Sequence, residues 1–221
     1  MRLTLGPVLV GTPVAFRGDE TSAIRKAPTT GPVAVGPLGL AGDEQADKVH
    51  HGGVEMAVHH YPHDHYPLWR EELEQHPLLK AAGAFGENIS TDGLTEDNVW
   101  IGDRFRLGSA LVEVSQGRQP CWKIDHTFQR KGITARVLQT IRCGWYYRVL
   151  EPGLVAEGDD FELIERGHEG WSVERVFRAI YHKGASTPEL VGVAKLDKLT
   201  QNWREMALER AVLQEQRAHG G

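Results

Sequence analysis

The sequence predicts a mainly β body followed by a small α-helical tail. Three observations predict it. Glycine is abundant, at 25 of 221 residues against a usual share of about 7%, and Gly supplies the positive φ of turns and bulges. Up to about Glu165 the chain is broken every few residues by Gly, Pro, Asp or Asn. From Trp171 onward apolar residues recur three and four apart instead, the spacing of an amphipathic helix.

The β body reads as short alternating pieces. Residues 99–114 fit two strands joined at Gly108-Ser109, and residues 161–165 fit another. Asp43, Asp92 and Asp103 each neighbour a glycine and suit turns. Two helices are expected inside the body. One runs over about residues 63–75, with Tyr66, Leu68, Trp69 and Leu73 as apolar positions; the other covers about 133–149. In the tail, Ser172 is the expected cap of a helix carrying Val173, Val176, Phe177 and Ile180. Thr187-Pro188 starts a second, and Thr200 opens a third, with Trp203, Met206, Ala207, Val212 and Leu213. Three short helices are not stable alone in water, so they must pack together or dock on the β body. The boundary is expected near Arg166-Gly167-His168, giving domains at 1–166 and 167–221.

Composition is that of a globular chain, 40% hydrophobic and 25% charged. A net charge of −5 argues against nucleic acid as a partner, because such binders need a basic face to displace counterions. No apolar run approaches the roughly 18 residues of a membrane span, and Met1–Pro7 lacks a signal-peptide pattern. Two cysteines are too few for a disulfide scaffold. A cytoplasmic protein is expected.

Cys121 is the first chemical candidate. Pro120 fixes the geometry before it, and Arg118 and Lys123 are cations able to favour a thiolate nucleophile or soft metal ligand. The competing reading is a buried structural thiol, which is the reading given to Cys143. His50, His51, His59, His60, His63 and His65 fall within 16 residues. They admit a zinc site, or a set of solvated and loop-capping histidines; Pro62 breaks the helix that would put His59 and His63 on one face. His51 precedes Gly52-Gly53, a pair that allows a backbone anion nest. Lys26 is open to two readings, a phosphate-binding cation or a solvated lysine. Glu87-Asn88, after Phe85-Gly86, offers a carboxylate and an amide for orienting a ligand, or a capped turn.

Six anchors then occur in order: 39–45 (Gly39-Leu40-Ala41-Gly42-Asp43-Glu44-Gln45), His51-Gly52-Gly53, Ala57-Val58 with Tyr61-Pro62, Phe85-Gly86-Glu87-Asn88, Ile101-Gly102-Asp103, and Ser115-Gln116-x-Arg118-x-Pro120-Cys121. The pattern resembles the MOSC domain, named for the C-terminal domain of molybdenum-cofactor sulfurases, in its small stand-alone bacterial form with a three-helix tail. The resemblance implies a β-barrel-like domain that binds the molybdenum cofactor. It implies Cys121 as molybdenum ligand and catalytic centre, and Lys26, His51, Gly52, Asn88 and Arg118 as cofactor-binding residues. His51 and Glu87 are the candidates for passing protons. It further implies an oxidoreductase that reduces N-hydroxylated bases, such as 6-N-hydroxylaminopurine, or related N-hydroxy compounds, in detoxification. Electrons must then come from an external donor protein, since two cysteines cannot ligate an iron–sulfur cluster. The alternatives are a sulfur or cofactor carrier using a Cys121 persulfide, and a zinc-dependent hydrolase built on the histidine run. Oligomeric state stays open, a homodimer included. Three positions depart from the family pattern: Glu55 and Met56 stand where an Asp and often a basic residue are usual, and Gly117 stands where a proline is usual.

Overall fold

The computed structural model describes residues 1–44 and 52–219. In chain order the strands are β1 (Arg2–Thr4), β2 (Leu9–Val10), β3 (Val14–Arg17), β4 (Glu20–Ser22), β5 (Ala27–Pro28), β6 (Val33–Gly36), β7 (Gly39–Leu40), β8 (Val58–His60), β9 (Arg104–Leu107), β10 (Ala110–Gly117), β11 (Trp145–Glu151), β12 (Gly153–Val155) and β13 (Asp160–Glu165). The helices are α1 (His65–Glu72), α2 (Lys123–Thr127), α3 (Ile133–Thr140), α4 (Val173–Tyr181), α5 (Thr187–Ala194) and α6 (Gln201–His219). The expected mainly β body with a helical tail is the architecture found. No described helix is long and apolar enough to cross a membrane.

A six-stranded antiparallel sheet, in the order β1-β13-β9-β10-β11-β8, forms the frame. Its inner face carries Phe105, Val112, Val114, Trp145, Tyr147 and Phe161, each at most 1% exposed. Phe105 stacks on Phe161 with centroids 4.7 Å apart, so the sheet is held by aromatic packing as well as by its ladder. The β9–β10 turn falls at Gly108-Ser109 as expected, with Gly108 at φ +56°. Residues 99–103 are a turn rather than a strand. Asp103, fully buried, organises it by accepting hydrogen bonds from the Trp100 and Gly167 amides and from Arg166. Its place in the Ile-Gly-Asp anchor is therefore structural.

Two of the expected helices are corrected. The first spans only His65–Glu72, since Pro62 precedes it and Leu73 leaves the helical region. The second ends at Thr140; Ile141 takes a left-handed conformation and Gly144 sits at φ +69°. Residues Trp145–Glu151 then run as a strand between β10 and β8. The Trp-Tyr-Tyr-x-Val run has β preference, and the tertiary pairing overrides a helical period that Cys143-Gly144 had already broken.

In the tail, Ser172 caps α4 by accepting from the Arg175 amide at 3.1 Å. Helix α5 is capped one residue earlier than expected, by Ser186, which accepts from Glu189 N–H at 3.3 Å. The helices dock on the end of β10. Val173, Phe177 and Trp203 are at most 1% exposed and close over Gly117, where an added Cβ would lie 3.0 Å from Trp203 and 3.3 Å from Phe177. A side chain at 117 would press on these tail residues.

Candidate functional site

Cys121 lies in the connection between β10 and α2. The connection is held at both ends. The Arg118 amide donates to Gly144 C=O at 3.0 Å, and the Cys121 carbonyl accepts from the Ile124 amide and from Thr134 Oγ1 at 3.1 and 3.2 Å. Asp125 fixes the following turn through the Gly132 and Thr134 amides. A thiol on a rigid strand end, half-buried and facing a cleft, is thus presented by backbone bonds on either side.

The cleft has two limbs that share Gly52, Met56, Cys121 and Tyr146. The inner limb, about 100 Å³, carries the cations. Arg118 is 7% exposed. The Lys26 side chain is 8% exposed and pairs with Asp43, whose side chain is 3% exposed. Asp43 also accepts from the Gly11 amide at 2.8 Å and from Asn88 Nδ2 at 2.9 Å. Asn88 is fully engaged: its Nδ2 donates to Leu9 C=O at 3.1 Å and its Oδ1 accepts from the His59 amide at 2.9 Å. Burial lowers the Lys26 ammonium pKa while Asp43 supports its charge. Lys26 thus brings its charge to the limb already paired, whereas Arg118 and Lys123 make no ion pair with a carboxylate among the described residues. The outer limb, about 720 Å³, is walled by Gln116, Gln119 and Pro120 on one side and by Thr200, Gln201 and Asn202 of the tail on the other. That volume lies within the usual range of small-molecule sites, about 300–1,000 Å³.

The structure therefore brings together Cys121, Lys26, Gly52, Asn88 and Arg118. Glu87 is not on the cleft wall. It is fully buried, and its carboxylate accepts from Tyr66 O–H and from the Gly83 and Phe85 amides at 2.6 and 3.0 Å. With its oxygens committed to the 83–85 turn, Glu87 organises the loop that positions Asn88 instead of facing a ligand. His51, and His50 beside it, lie outside the described residues. Met56 lines both limbs as an apolar wall where a basic residue was expected. Glu55 turns to Arg148, which also binds Glu113 and the Lys198 carbonyl.

The described histidines diverge and do not gather as a zinc site would require. His60 meets Tyr147 and Thr91, each at 3.0 Å; His63 meets Asp92, and His65 meets Glu96 at 2.7 Å. Among the described residues no cluster of three or more His, Cys, Asp or Glu has metal-holding geometry. Cys143 is the buried core thiol expected, and burial pushes its pKa well up. Sequence reasoning missed three wall residues. Asp43 read as a turn residue, Tyr146 as part of a helix, and His59 as solvated. His59 is in fact 4% exposed on β8, and its Nε2 has no hydrogen-bond partner among the described residues. Desolvation, with the Arg118 charge nearby, holds its pKa well below 6.5, so its ring is neutral.

His60 gives a measurable pH dependence. Burial lowers its pKa to about 3, whereas in the unfolded chain it titrates near 6.5. The unfolded state therefore takes up the proton first. Stability is full above about pH 6.5 and falls as the pH drops toward 3, by up to about 1.4 kcal/mol per pH unit for this group. Urea unfolding between pH 7 and 4.5 is expected to be steeper in the wild type than in His60→Gln; equal slopes would contradict the assignment.

Comparison with known proteins agrees with this fold. The family model of the MOSC domain matches residues 47–162. The chain is 42% identical over 189 residues to an uncharacterized protein, YflK, of Bacillus subtilis, covering 86% of this chain and 84% of that one. It is 45% identical over 159 residues to the YiiM protein of Escherichia coli, covering 72% and 71%. A protein named reductase from Gibberella moniliformis is 41% identical over 197 residues, 89% of this chain but 35% of the fungal one. Among solved structures, YiiM from Geobacillus stearothermophilus superposes with a TM-score of 0.80 at 33% identity, covering 96% of this chain and all of that one. YiiM from E. coli gives 0.80 at 31%, covering 97% and 94%. With the cleft, its cysteine and the tail accounted for, this chain belongs to the MOSC domain family.

Proposed function

We propose that the protein is an oxidoreductase that reduces N-hydroxylated bases or related N-hydroxy compounds, with a molybdenum cofactor held in the cleft and Cys121 as its protein ligand. The observation that carries this reading is the position of Cys121 at the junction of a cationic inner limb and a roomy neutral outer limb. The residues fit the group. A half-buried thiol is a soft donor suited to a redox-active metal. Arg118 and Lys123, with the Gly52 amide beside them, suit the cofactor's anionic end. The fungal relative named reductase supports redox chemistry in the family.

When bound, the cofactor supplies two-electron exchange at the metal. The reaction consumes two electrons and two protons: the N–O bond breaks, one proton joins the leaving hydroxyl to give water, and the other joins the nitrogen, which keeps its own hydrogen. This chain's own residues do the holding. Arg118 would hold the anionic end, and the hydrogen bond from its amide to Gly144 C=O fixes the segment that also carries Cys121. Asp43 and Asn88 hold the Lys26 ammonium in place. Met56 and Tyr146 narrow the junction. The chain holds two cysteines, of which Cys143 is buried and inert, so electrons come from an external donor protein.

The test is the metal content of protein purified without oxygen from a host that makes the cofactor, wild type beside Cys121→Ala. About one molybdenum per wild-type chain is expected, at least tenfold less in the variant, with reduction of an N-hydroxylated purine by a viologen dye following the metal. A wild type free of molybdenum, from a host that loads a control molybdenum protein, overturns the reading. A persulfide at Cys121 in that same material would favour the carrier alternative.

A further inference from the structure

The outer limb is built differently from the inner one, and half of it comes from the helical tail. The tail is locked in place: Thr200 Oγ1 donates to Gln116 Oε1 at 2.7 Å, the Thr200 amide donates to Ser115 C=O at 3.2 Å, and Arg148 Nη1 donates to the Lys198 carbonyl at 2.9 Å. Asn202, at the start of α6, is therefore held at a fixed place across from Cys121.

The Thr200 bond also sets the direction of a buried amide. Gln116 is 8% exposed, and with Oε1 taken its Nε2 is left as a donor with no partner among the described residues. Gln119, on the same wall, makes no side-chain hydrogen bond among the described residues. Asn202 contributes an uncommitted Oδ1; its Nδ2 makes only a weak contact with Met206 sulfur at 3.9 Å. Among the described residues, Glu55 is the carboxylate on this limb and is paired with Arg148, and no Lys or Arg lines it. Gln116 is buried while Gln119 and Asn202 face solvent in the open limb, so a ligand that seats there and displaces their water must supply both an acceptor and a donor, and one that cannot is penalised. A limb whose carboxylate is already paired and whose described walls offer no cation gives an anion nothing to offset its desolvation.

We propose that the outer limb is the substrate side of the cleft, and that Gln116, Gln119 and Asn202 select an uncharged compound presenting adjacent hydrogen-bond donor and acceptor groups. This rests on the reductase reading above. It makes the helical tail a specificity element, and it makes Gln119 and Asn202 specificity-determining residues that do not touch the metal.

The experiment compares benzhydroxamic acid, neutral with adjacent N–H and C=O groups, with its 4-carboxy analogue as substrates. It also measures calorimetric binding of the corresponding products, benzamide and 4-carbamoylbenzoate. The wild type is expected to favour the neutral substrate in kcat/KM at least tenfold. Gln119→Leu is expected to raise KM and the product Kd five- to tenfold, with kcat and molybdenum content within twofold. Asn202→Lys is expected to bring the carboxylated substrate to within threefold of the neutral one. Equal handling of both substrates by the wild type, or variants that leave KM and the preference unchanged while turnover persists, would overturn the inference. A molybdenum-loaded wild type that reduces neither compound defeats the reductase reading instead. The product-binding arm then decides this one: benzamide affinity weakened by Gln119→Leu upholds it, and unchanged affinity sinks it.

Discussion

Asp43→Ala is expected to lose about 3–5 kcal/mol of stability, the usual cost of stranding one partner of a buried ion pair. The Lys26 ammonium would remain in a site where its side chain is 8% exposed, without the carboxylate that offsets its desolvation. The Gly11 amide and Asn88 Nδ2 would also lose their acceptor. Lys26→Met combined with Asp43→Leu removes both charges, and it should recover more than half of the loss, because an apolar pair of similar volume needs no solvation. Urea denaturation of the three proteins is the check. A single variant within about 1 kcal/mol of wild type would mean that water reaches Lys26 and that the pair does not organise the inner limb.

Gly144→Ala is the second large effect. Gly144 adopts φ +69°, a region that costs a residue with a Cβ about 1–3 kcal/mol. Space is lacking as well: the new Cβ would lie 2.3 Å from the His60 carbonyl oxygen, 3.1 Å from His59 Nε2 and 3.2 Å from Tyr61. Overpacking of this kind adds about 1–3 kcal/mol, so a loss of about 3 kcal/mol or more is expected. Gly93→Ala separates the two causes. Gly93 has φ +81° but nothing within 4 Å of an added Cβ, so only the conformational part should appear. Equal unfolding midpoints for the two variants would refute the packing argument. Because Gly144 C=O also receives the Arg118 amide, and His59 stands against it, the Gly144 variant should displace the floor of the cleft too.

Much of the cleft was legible from local pattern. Arg118-x-Pro120-Cys121 sits at the end of an alternating run, so a thiol at a strand end was readable, and so was the helical period after Trp171. Ser172 as a cap needed only its own side chain and the apolar spacing behind it. Residues whose meaning depends on distant partners were not legible. Asp43 next to a glycine looks like any turn aspartate until the fold brings Lys26, Gly11 and Asn88 around it. Glu87 has the composition of a site carboxylate, yet Tyr66 and the 83–85 amides occupy its oxygens. Tyr146 follows a helical period that breaks at Cys143-Gly144, and pairing with β8 and β10 fixes its run as a strand facing the cleft.

The sequence by itself determined the fold class, the order of the anchors and the place of the candidate thiol, Cys121, because those depend on periodicity and on residues adjacent in the chain. The tertiary structure decided how charge is distributed along the cleft and where the tail docks against it. Burial and pairing set the electrostatics, and they are properties of neighbours far apart in sequence: Lys26 is paired with a residue 17 positions away, and Thr200 orients an amide 84 positions from it.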